Sequence, residues 1–392
     1  MILPSRPGTR VALYRKAAFS VWGAALAIIC VLVYLDPLKR TVTPIYAGAV
    51  KQWISRTPLY SEYLFHYPPQ FIFLFMPFHA MPSPLGDIMW RILSAVLLVW
   101  GLWRIMSLAP SLRDGRLFLC AALVMLLPSL AAIRNGQANL IFSALTIHAA
   151  ACIALSQWWL ATLCLVLSLA AKGAIGFVMI FLAALIYRTL IWRIGLGLLV
   201  FLAIPFLFSD TSYVLSQYRQ YLEHLAALSV NQRQFASLNG LLRRLGNGLP
   251  EGIFPLLSAG AGLATMVVWL IGAGKRHEPA RAWLLLGLTT TYLMLFNPMT
   301  EINSSVIVGP ALALYTVRFA VIGGLSSLGY AVALLGLSLG IFPEIFRPVD
   351  RNFGMWWTPL TMLIFAAILI WTVFSDRLPI RNSVEDQGSY SG

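Results

Sequence analysis

The stretch of sequence that decides the fold is LFLCAALVMLLPSLAAIRNGQANLIFSALTIHAAACIAL, residues 117–155. Two apolar runs, 117–133 and 138–155, flank a short polar segment, RNGQ, at 134–137. Each run approaches the roughly 20 apolar residues that a helix needs to cross a bilayer. Backbone polar groups inside a bilayer must be satisfied within the segment, so both runs are predicted to be membrane helices joined by a tight polar turn.

The rest of the chain has the same character. Of its 392 residues, 59% are hydrophobic and 11% are charged, and the mean hydropathy is +0.79. A soluble domain carries about a quarter charged residues, so the composition predicts an all-α polytopic membrane protein. No polar linker divides the chain. We therefore expect a single membrane domain over 1–375 and a polar, disordered cytoplasmic tail over 376–392.

The apolar runs predict about twelve transmembrane helices. The predicted spans are 17–35, 85–106, 117–133, 138–155, 157–171, 174–187, 194–208, 252–273, 282–296, 303–318, 319–341 and 357–374. The run 158–187 is too long for one upright span and short for two, and we divide it at Lys172 and Gly173. The run PPQFIFLFMPFHAMP, 68–82, is short and bounded by prolines, which predicts a re-entrant or interfacial segment.

The net charge of +14 would suggest nucleic-acid binding in a soluble protein. Here most basic residues flank apolar runs, which indicates membrane topology instead, and we expect no nucleic-acid partner. With a cytoplasmic N-terminus, the basic residues at six places along the chain fall on the cytoplasmic side. Arg347 and Arg351 do not fit this pattern. The pattern predicts that both termini are cytoplasmic.

On this topology, polar residues concentrate in loops on the outer face. These loops are 36–69, 134–137, 171–173, 209–251, 296–305 and 342–356. Two of them carry stretches with apolar residues at helical spacing, 45–54 and 213–228, which predict interfacial amphipathic helices. A membrane enzyme working at the outer leaflet would have this distribution, whereas a transporter would place polar groups nearer the bilayer midplane.

Several short motifs occur in a fixed order on these loops. They are Tyr46 and Ala49 in the first interfacial helix, HYPP (66–69), GQAN (136–139), Lys172, SLNGLLRR (237–244) and NPMTEINSS (297–305). In this order they resemble the GT-C glycosyltransferases, specifically the polyprenyl-phosphate-mannose-dependent mannosyltransferase-like family 87, often described as a domain of unknown function. Three departures are that Gly173 follows the lysine where the family usually has proline, that the acidic residue usually found a few residues before the Tyr is here Asp36, ten residues before Tyr46, and that Glu301 and Asn303 stand where the family typically carries His or Trp.

The resemblance implies a fold, a reaction and partners. The fold would be a GT-C-like bundle of about twelve transmembrane helices with interfacial helices in the outer loops. The reaction would move a mannose-like sugar from a polyprenyl-phosphate carrier to a lipid or glycan acceptor on the outer, periplasmic face, with inversion. Membrane lipids and the lipid-linked donor would be the partners, with neither a cofactor nor a metal.

Inversion needs a carboxylate that takes the proton of the acceptor hydroxyl. Asp36 is the first candidate, because it stands where the first span meets the outer surface. Glu301 is the second, as the single carboxylate of its loop, and Glu62 is the third. Alternatively, Asp36 only ends a span before Pro37, and Glu301 is a paired structural carboxylate.

The departing lipid phosphate needs cations to stabilise its growing charge. Lys172 is the leading candidate, because a lysine within an apolar stretch is costly unless it is paired or hydrated. Its alternative role is to extend toward the membrane interface. Further candidates are Arg134, Arg243, Arg244 and Arg40, any of which could instead meet lipid headgroups.

Gln137 and Asn139 could hydrogen-bond the hydroxyls of a sugar, or they could simply cap the following helix. The other expected sugar or acceptor contacts are Asn303, Tyr46, Tyr67 and His66. Two other functions stay open at this point. One is a flippase or transporter for a lipid-linked sugar, and the other is an inactive family member that only binds the lipid carrier.

Overall fold

A computed structural model describes residues 7–61, 64–228, 235–246, 252–322 and 324–375. These residues form sixteen α-helices and no strand. The helices are α1 (Pro7–Leu35), α2 (Thr43–Ile54), α3 (Phe71–His79), α4 (Leu85–Met106), α5 (Gly115–Asn135), α6 (Ala138–Ala154), α7 (Trp158–Lys172), α8 (Phe177–Ile186), α9 (Ile191–Ala203), α10 (Thr211–Leu228), α11 (Leu238–Arg244), α12 (Ile253–Gly274), α13 (Ala280–Phe296), α14 (Gly309–Val321), α15 (Ser326–Ile345) and α16 (Phe353–Phe374). The predicted tail at 376–392 and the third base candidate, Glu62, lie outside the described residues.

Seven helices in this part of the chain are long and apolar enough to cross a membrane: α1, α4, α5, α9 with its flanking turns, α12, α15 and α16. Five shorter apolar helices accompany them: α6, α7, α8, α13 and α14. Together they correspond to the twelve predicted spans. The prediction of an all-helical polytopic membrane protein is therefore confirmed.

The predicted tenth span, 303–318, begins too early. Residues Ile302–Ile307 form a 3₁₀ helix, and α14 begins only at Gly309. Pro310 stands in the first turn of α14. Backbone N–H groups there have no carbonyl partner within the helix, so a residue without an N–H loses nothing, and the fixed φ of proline suits the helix. The next boundary is also displaced, since α14 continues to Val321 and α15 starts at Ser326.

The long apolar run 158–187 is broken at the predicted place. Helix α7 ends at Lys172, a 3₁₀ turn follows over Gly173–Gly176, and α8 starts at Phe177. Gly173 has a φ of +59°, a conformation that side chains disfavour. A Cβ atom here would lie 2.2 Å from the hydroxyl oxygen of Tyr221. The glycine thus permits both the turn and the close approach of α10.

The two predicted interfacial helices are present as α2 and α10. Helix α2 buries one face, which includes Tyr46 and Trp53. Helix α10 buries Val214 and Tyr221 and leaves Arg219 exposed. The proline-bounded run 68–82 contains the nine-residue helix α3, too short to cross a bilayer.

Within the polar segment 134–137, Arg134 and Asn135 form the end of α5, and Gly136 and Gln137 make the tight turn to α6. Gly136 ends α5 with a φ of +65°, and a Cβ atom there would lie 2.8 Å from the guanidinium of Arg91. Arg91 is fully buried, donates to the carbonyls of Ile133 and Arg134 at 3.0 and 3.2 Å, and pairs with Asp87 at 3.0 Å. A cation is favourable at a helix C-terminus, so this arginine fixes the turn.

Candidate functional site

A cavity of about 500 Å³ lies where several predicted loops meet. The lining side chains come from segments 42–46, 64–67, 137–139, 172, 221–225 and 297–301. Five of the six loops predicted to share one face therefore contribute to it, and 342–356 does not. Its volume falls in the range of about 300–1,000 Å³ that is usual for small-molecule sites.

One wall of the cavity carries a continuous chain of hydrogen bonds. The ammonium of Lys172 donates to Asn139 Oδ1 at 2.6 Å, and Asn139 Nδ2 donates to Gln137 Oε1 at 2.6 Å. Gln137 Nε2 then donates to Glu301 Oε2 at 2.7 Å. Every bond in the chain runs in the same direction, from cation to carboxylate. The two amides are thereby held in one orientation, with the Lys172 ammonium at one end of the chain and the Glu301 carboxylate at the other.

The helical hairpin of α6 and α7 explains how Lys172 reaches Asn139. Helix α6 has 17 residues and α7 has 15, so their lengths nearly match at about 1.5 Å per residue. The chain descends through α6 from Asn139, turns at 155–157, and returns through α7. The lysine therefore ends at the level from which α6 began.

Glu301 is held by the 3₁₀ helix that follows it. Its side chain accepts a hydrogen bond from the backbone N–H of Ser304, and the Ser304 hydroxyl accepts one from Glu301 N at 3.1 Å. Asn139 Nδ2 also donates to the Ser304 hydroxyl, at 3.1 Å. The carboxylate nevertheless stays exposed to the cavity. A carboxylate can accept about four hydrogen bonds, so this one keeps room for another donor.

Two tyrosines also line the cavity. The hydroxyls of Tyr46 and Tyr67 lie 2.9 Å apart, and Tyr46 accepts a further hydrogen bond from Ala138 N at 3.1 Å. Burial raises the pKa of Tyr46 to about 12 and the pKa of Tyr67 well above its ordinary value. Both phenols therefore stay neutral near pH 7 and keep a proton to donate.

A histidine pair joins the first loop to α10. His66 Nδ1 and His224 Nε2 are 2.8 Å apart, and the rings stack with centroids 5.0 Å apart. Burial, and then the neighbouring His224, lowers the pKa of His66 to about 4. Burial also lowers the pKa of His224. At neutral pH the pair is therefore uncharged, with one ring donating to the other.

The first-ranked base candidate does not line this cavity. Asp36 is exposed after the end of α1, and its carboxylate lies 4.0 Å from the ammonium of Lys39. Arg40 is also exposed and outside the lining. Their proposed roles as base and phosphate ligand remain predictions that the geometry of this cavity does not support.

The remaining arginines predicted for phosphate binding are likewise outside the lining. Arg244 pairs with Asp350 at 2.5 Å, which ties α11 to the loop before α16. Arg134 and Arg243 are partly buried, as is Asn303 within the 3₁₀ helix. The structure thus brings together Lys172, Glu301, Gln137, Asn139, Tyr46, Tyr67 and His66, and leaves Asp36, Arg40, Arg134, Arg243, Arg244 and Asn303 elsewhere.

Sequence reasoning did not single out three residues that shape the site. Ser304 fixes Glu301, and its position three residues after that carboxylate is the spacing of a capping box. Tyr221 lines the cavity from the buried face of α10, and Arg91 holds the turn before Gln137. The pair Asp87 and Arg91, four residues apart in an apolar run, was the signal for a buried ion pair.

Within the described segments, no group of three or more His, Cys, Asp or Glu side chains could hold a metal ion. No curated protein is matched by this chain. The family model described as Glycosyltransferase family 87 matches residues 65–298, which is more than half of the chain. The matched part includes His66, Gln137, Asn139 and Lys172 and ends three residues before Glu301. The chain therefore belongs to glycosyltransferase family 87.

Proposed function

We propose that this membrane glycosyltransferase moves a mannose-like sugar from a polyprenyl-phosphate carrier to the hydroxyl of a lipid or glycan acceptor. The transfer would take place in the 500 Å³ cavity, on the outer face of a bacterial inner membrane. One observation carries the proposal: the Lys172 ammonium and the Glu301 carboxylate are held on one wall by two oriented amides.

Lys172 is proposed to bind the phosphate of the donor. It is partly buried and forms no ion pair with any described carboxylate. An ammonium near a membrane costs several kcal/mol unless it is paired or hydrated, and a donor phosphate would provide that partner. The ammonium has three N–H donors and Asn139 uses one. Two donors remain for the oxygens whose negative charge grows as the sugar departs.

Glu301 is proposed as the base. It lies exposed in the cavity, its orientation is fixed by Gln137 and Ser304, and it has spare acceptor capacity. In an inverting reaction such a carboxylate takes the proton of the acceptor hydroxyl as that oxygen attacks the sugar carbon. Asp36 does not line the cavity, and its carboxylate is exposed beside Lys39.

The neutral side chains are proposed to position the sugar and the acceptor. Tyr46, Tyr67 and His66 line the cavity and can exchange hydrogen bonds with hydroxyl groups at neutral pH. Gln137 and Asn139 lie between the two charged groups, where the transferred sugar would bridge them. No cofactor takes part in this scheme, since a lipid phosphate is a good leaving group once its charge is stabilised.

The test is transfer of labelled mannose from polyprenyl-phosphate mannose in membranes that contain the protein. We expect product with the wild type, and a loss of at least about 100-fold with Glu301→Gln, as is typical when an acid–base group is removed. Asp36→Asn is the matched control and should retain activity. If instead Asp36→Asn loses activity and Glu301→Gln retains it, the base is Asp36.

If no polyprenyl-phosphate sugar supports transfer, the proposed reaction is wrong. The same membranes then test whether the protein is a flippase. Labelled lipid-linked sugar that appears in the other leaflet would support this alternative.

A further inference from the structure

A second cavity, of about 200 Å³, lies at the other end of the helix bundle. Ala280 and Trp283 in the first turn of α13 line it, while Asn297, directly after the end of α13, lines the larger cavity. Helix α13 has 17 residues, so about 25 Å separates its ends. The two cavities have no lining residue in common among the described residues. The smaller one is therefore a distinct site.

The lining of the smaller cavity has an excess of positive charge. Lys275, Arg276 and Arg318 all contribute to it, and no described carboxylate forms an ion pair with any of them. The carboxylate in the lining, Glu278, is already engaged. It accepts hydrogen bonds from the Tyr187 hydroxyl at 2.5 Å and from the backbone N–H at position 282 at 3.2 Å.

Two of the three cations have a structural role as well. Arg276 donates to the carbonyls of Gly272 at 3.0 Å and Thr372 at 2.5 Å, and Lys275 donates to that of Val373 at 3.2 Å. These carbonyls belong to the last turns of α12 and α16, where a cation is favourable. Helix capping thus accounts for part of the basic character, but it does not involve Arg318.

Arg318 and Trp283 each carry a buried donor atom with no hydrogen-bond partner of normal geometry in the described structure, although Arg318 also interacts with the Tyr315 hydroxyl. The Arg318 guanidinium lies 5.6 Å from the Trp283 ring and 5.7 Å from the Tyr315 ring, and its Nη1 is buried with no hydrogen-bond partner. Trp283 is only 5% exposed, and its indole N–H is also without a partner. Buried donors are normally satisfied, so a cavity lined by these two side chains calls for an acceptor.

We propose that the smaller cavity is an anion site that binds a phosphate group. A guanidinium presents paired donors that match phosphate oxygens, and the ammonium and the indole N–H can complete the shell. The volume suits a phosphate with a small substituent. The site lies beside the basic loop Lys275–Arg281, on the predicted cytoplasmic side, where basic pockets between membrane helices bind acidic headgroups. The phosphate would belong to an acidic phospholipid or be a free ion.

The experiment uses the purified full-length protein and measures its thermal unfolding midpoint. One arm compares nanodiscs containing phosphatidylglycerol with nanodiscs of phosphatidylcholine alone. The other compares inorganic phosphate with chloride at equal ionic strength. A ligand that binds the folded state raises the midpoint, so we expect a rise in at least one arm. A rise with phosphatidylglycerol alone identifies the lipid as the source, and a rise with inorganic phosphate identifies the free ion.

Two variants make the result specific to this cavity. Arg318→Gln should weaken the apparent affinity at least about tenfold, as expected for a lost hydrogen bond to a charged group. Trp283→Phe keeps the ring and removes the N–H, and should weaken binding with the fold retained. Arg188→Gln removes an exposed charge elsewhere and should behave as the wild type. The proposal is overturned if neither arm raises the midpoint, or if both cavity variants respond as the wild type does.

Discussion

The side-chain amide of Gln137 donates a 2.7 Å hydrogen bond to the carboxylate of Glu301, 164 positions further along the chain. The other end of the same amide accepts from Asn139 at 2.6 Å. These two contacts fix which way the amide faces, since a reversed amide would set its oxygen against the carboxylate. The relationship joins the turn before α6 to the 3₁₀ helix before α14, and it defines the wall on which we place the reaction.

Replacing Gln137 by Glu should inactivate the enzyme. The new carboxylate would face Glu301 in place of a donor, and two such groups sharing a site repel each other. We expect a fall in kcat of about 100-fold or more, because the base is no longer held in its ionised, oriented form. Initial rates of sugar transfer measure this. Gln52→Glu, the same change in α2 outside the cavity lining, is the control. Equal rates of sugar transfer for the two variants would show that Gln137 has no role in the site.

Removing the charge of Lys172 should slow transfer by about 100- to 1,000-fold, the range seen when one donor to a developing negative charge is lost. Lys172→Met keeps the length and apolar stem of the side chain, so the helix should be preserved. The loss should appear mainly in kcat, because the phosphate charge grows in the transition state. Lys51→Met, at an exposed position of α2, is the control. An unchanged kcat would mean that the lysine only serves the structure.

The helical spans could be predicted from sequence because the bilayer imposes a long apolar run on every crossing. The same argument identified four site residues, because polar groups at the ends of apolar runs are costly unless they meet a partner. They are Lys172, Gln137, Asn139 and Glu301. The start of α14 could not be predicted, because the small polar residues of the 3₁₀ turn that Glu301 caps lead into the apolar residues of α14 with no charged residue between them.

Pairing between distant residues was the part that sequence did not reveal. Arg244 was expected at a phosphate, but it pairs with Asp350, 106 positions away. Asp36 stands directly after the end of its helix as expected, yet its side chain does not line the cavity. Contacts between distant residues depend on which helices pack against each other, and hydrophobic periodicity does not reveal that. Arg91 was missed for the same reason, since two of its three carbonyl partners lie in another helix.

The fold should lose stability in acid through His66. Its pKa is lowered to about 4, chiefly by burial, while the unfolded chain has the ordinary value of about 6.5. Between these values the unfolded state binds more protons, so stability falls as the pH is lowered from about 6.5 to 4 and is constant above that range. Thermal unfolding across this range should show the slope. His66→Asn should reduce the slope, and a slope equal to that of the wild type would contradict this prediction.

The backbone at Gly173 should tolerate no side chain. Its φ of +59° and the 2.2 Å approach of the Tyr221 hydroxyl act independently, so Gly173→Ala should destabilise the fold by about 1–3 kcal/mol. Proline, which fixes φ near −65°, should be worse. Adding Tyr221→Phe removes the clashing oxygen but leaves the φ strain, and should restore part of the loss in Gly173→Ala. Thermal unfolding of the single and double variants measures these changes in stability. If the effects of Gly173→Ala and Tyr221→Phe on stability simply add, the side chain at 173 does not clash with α10.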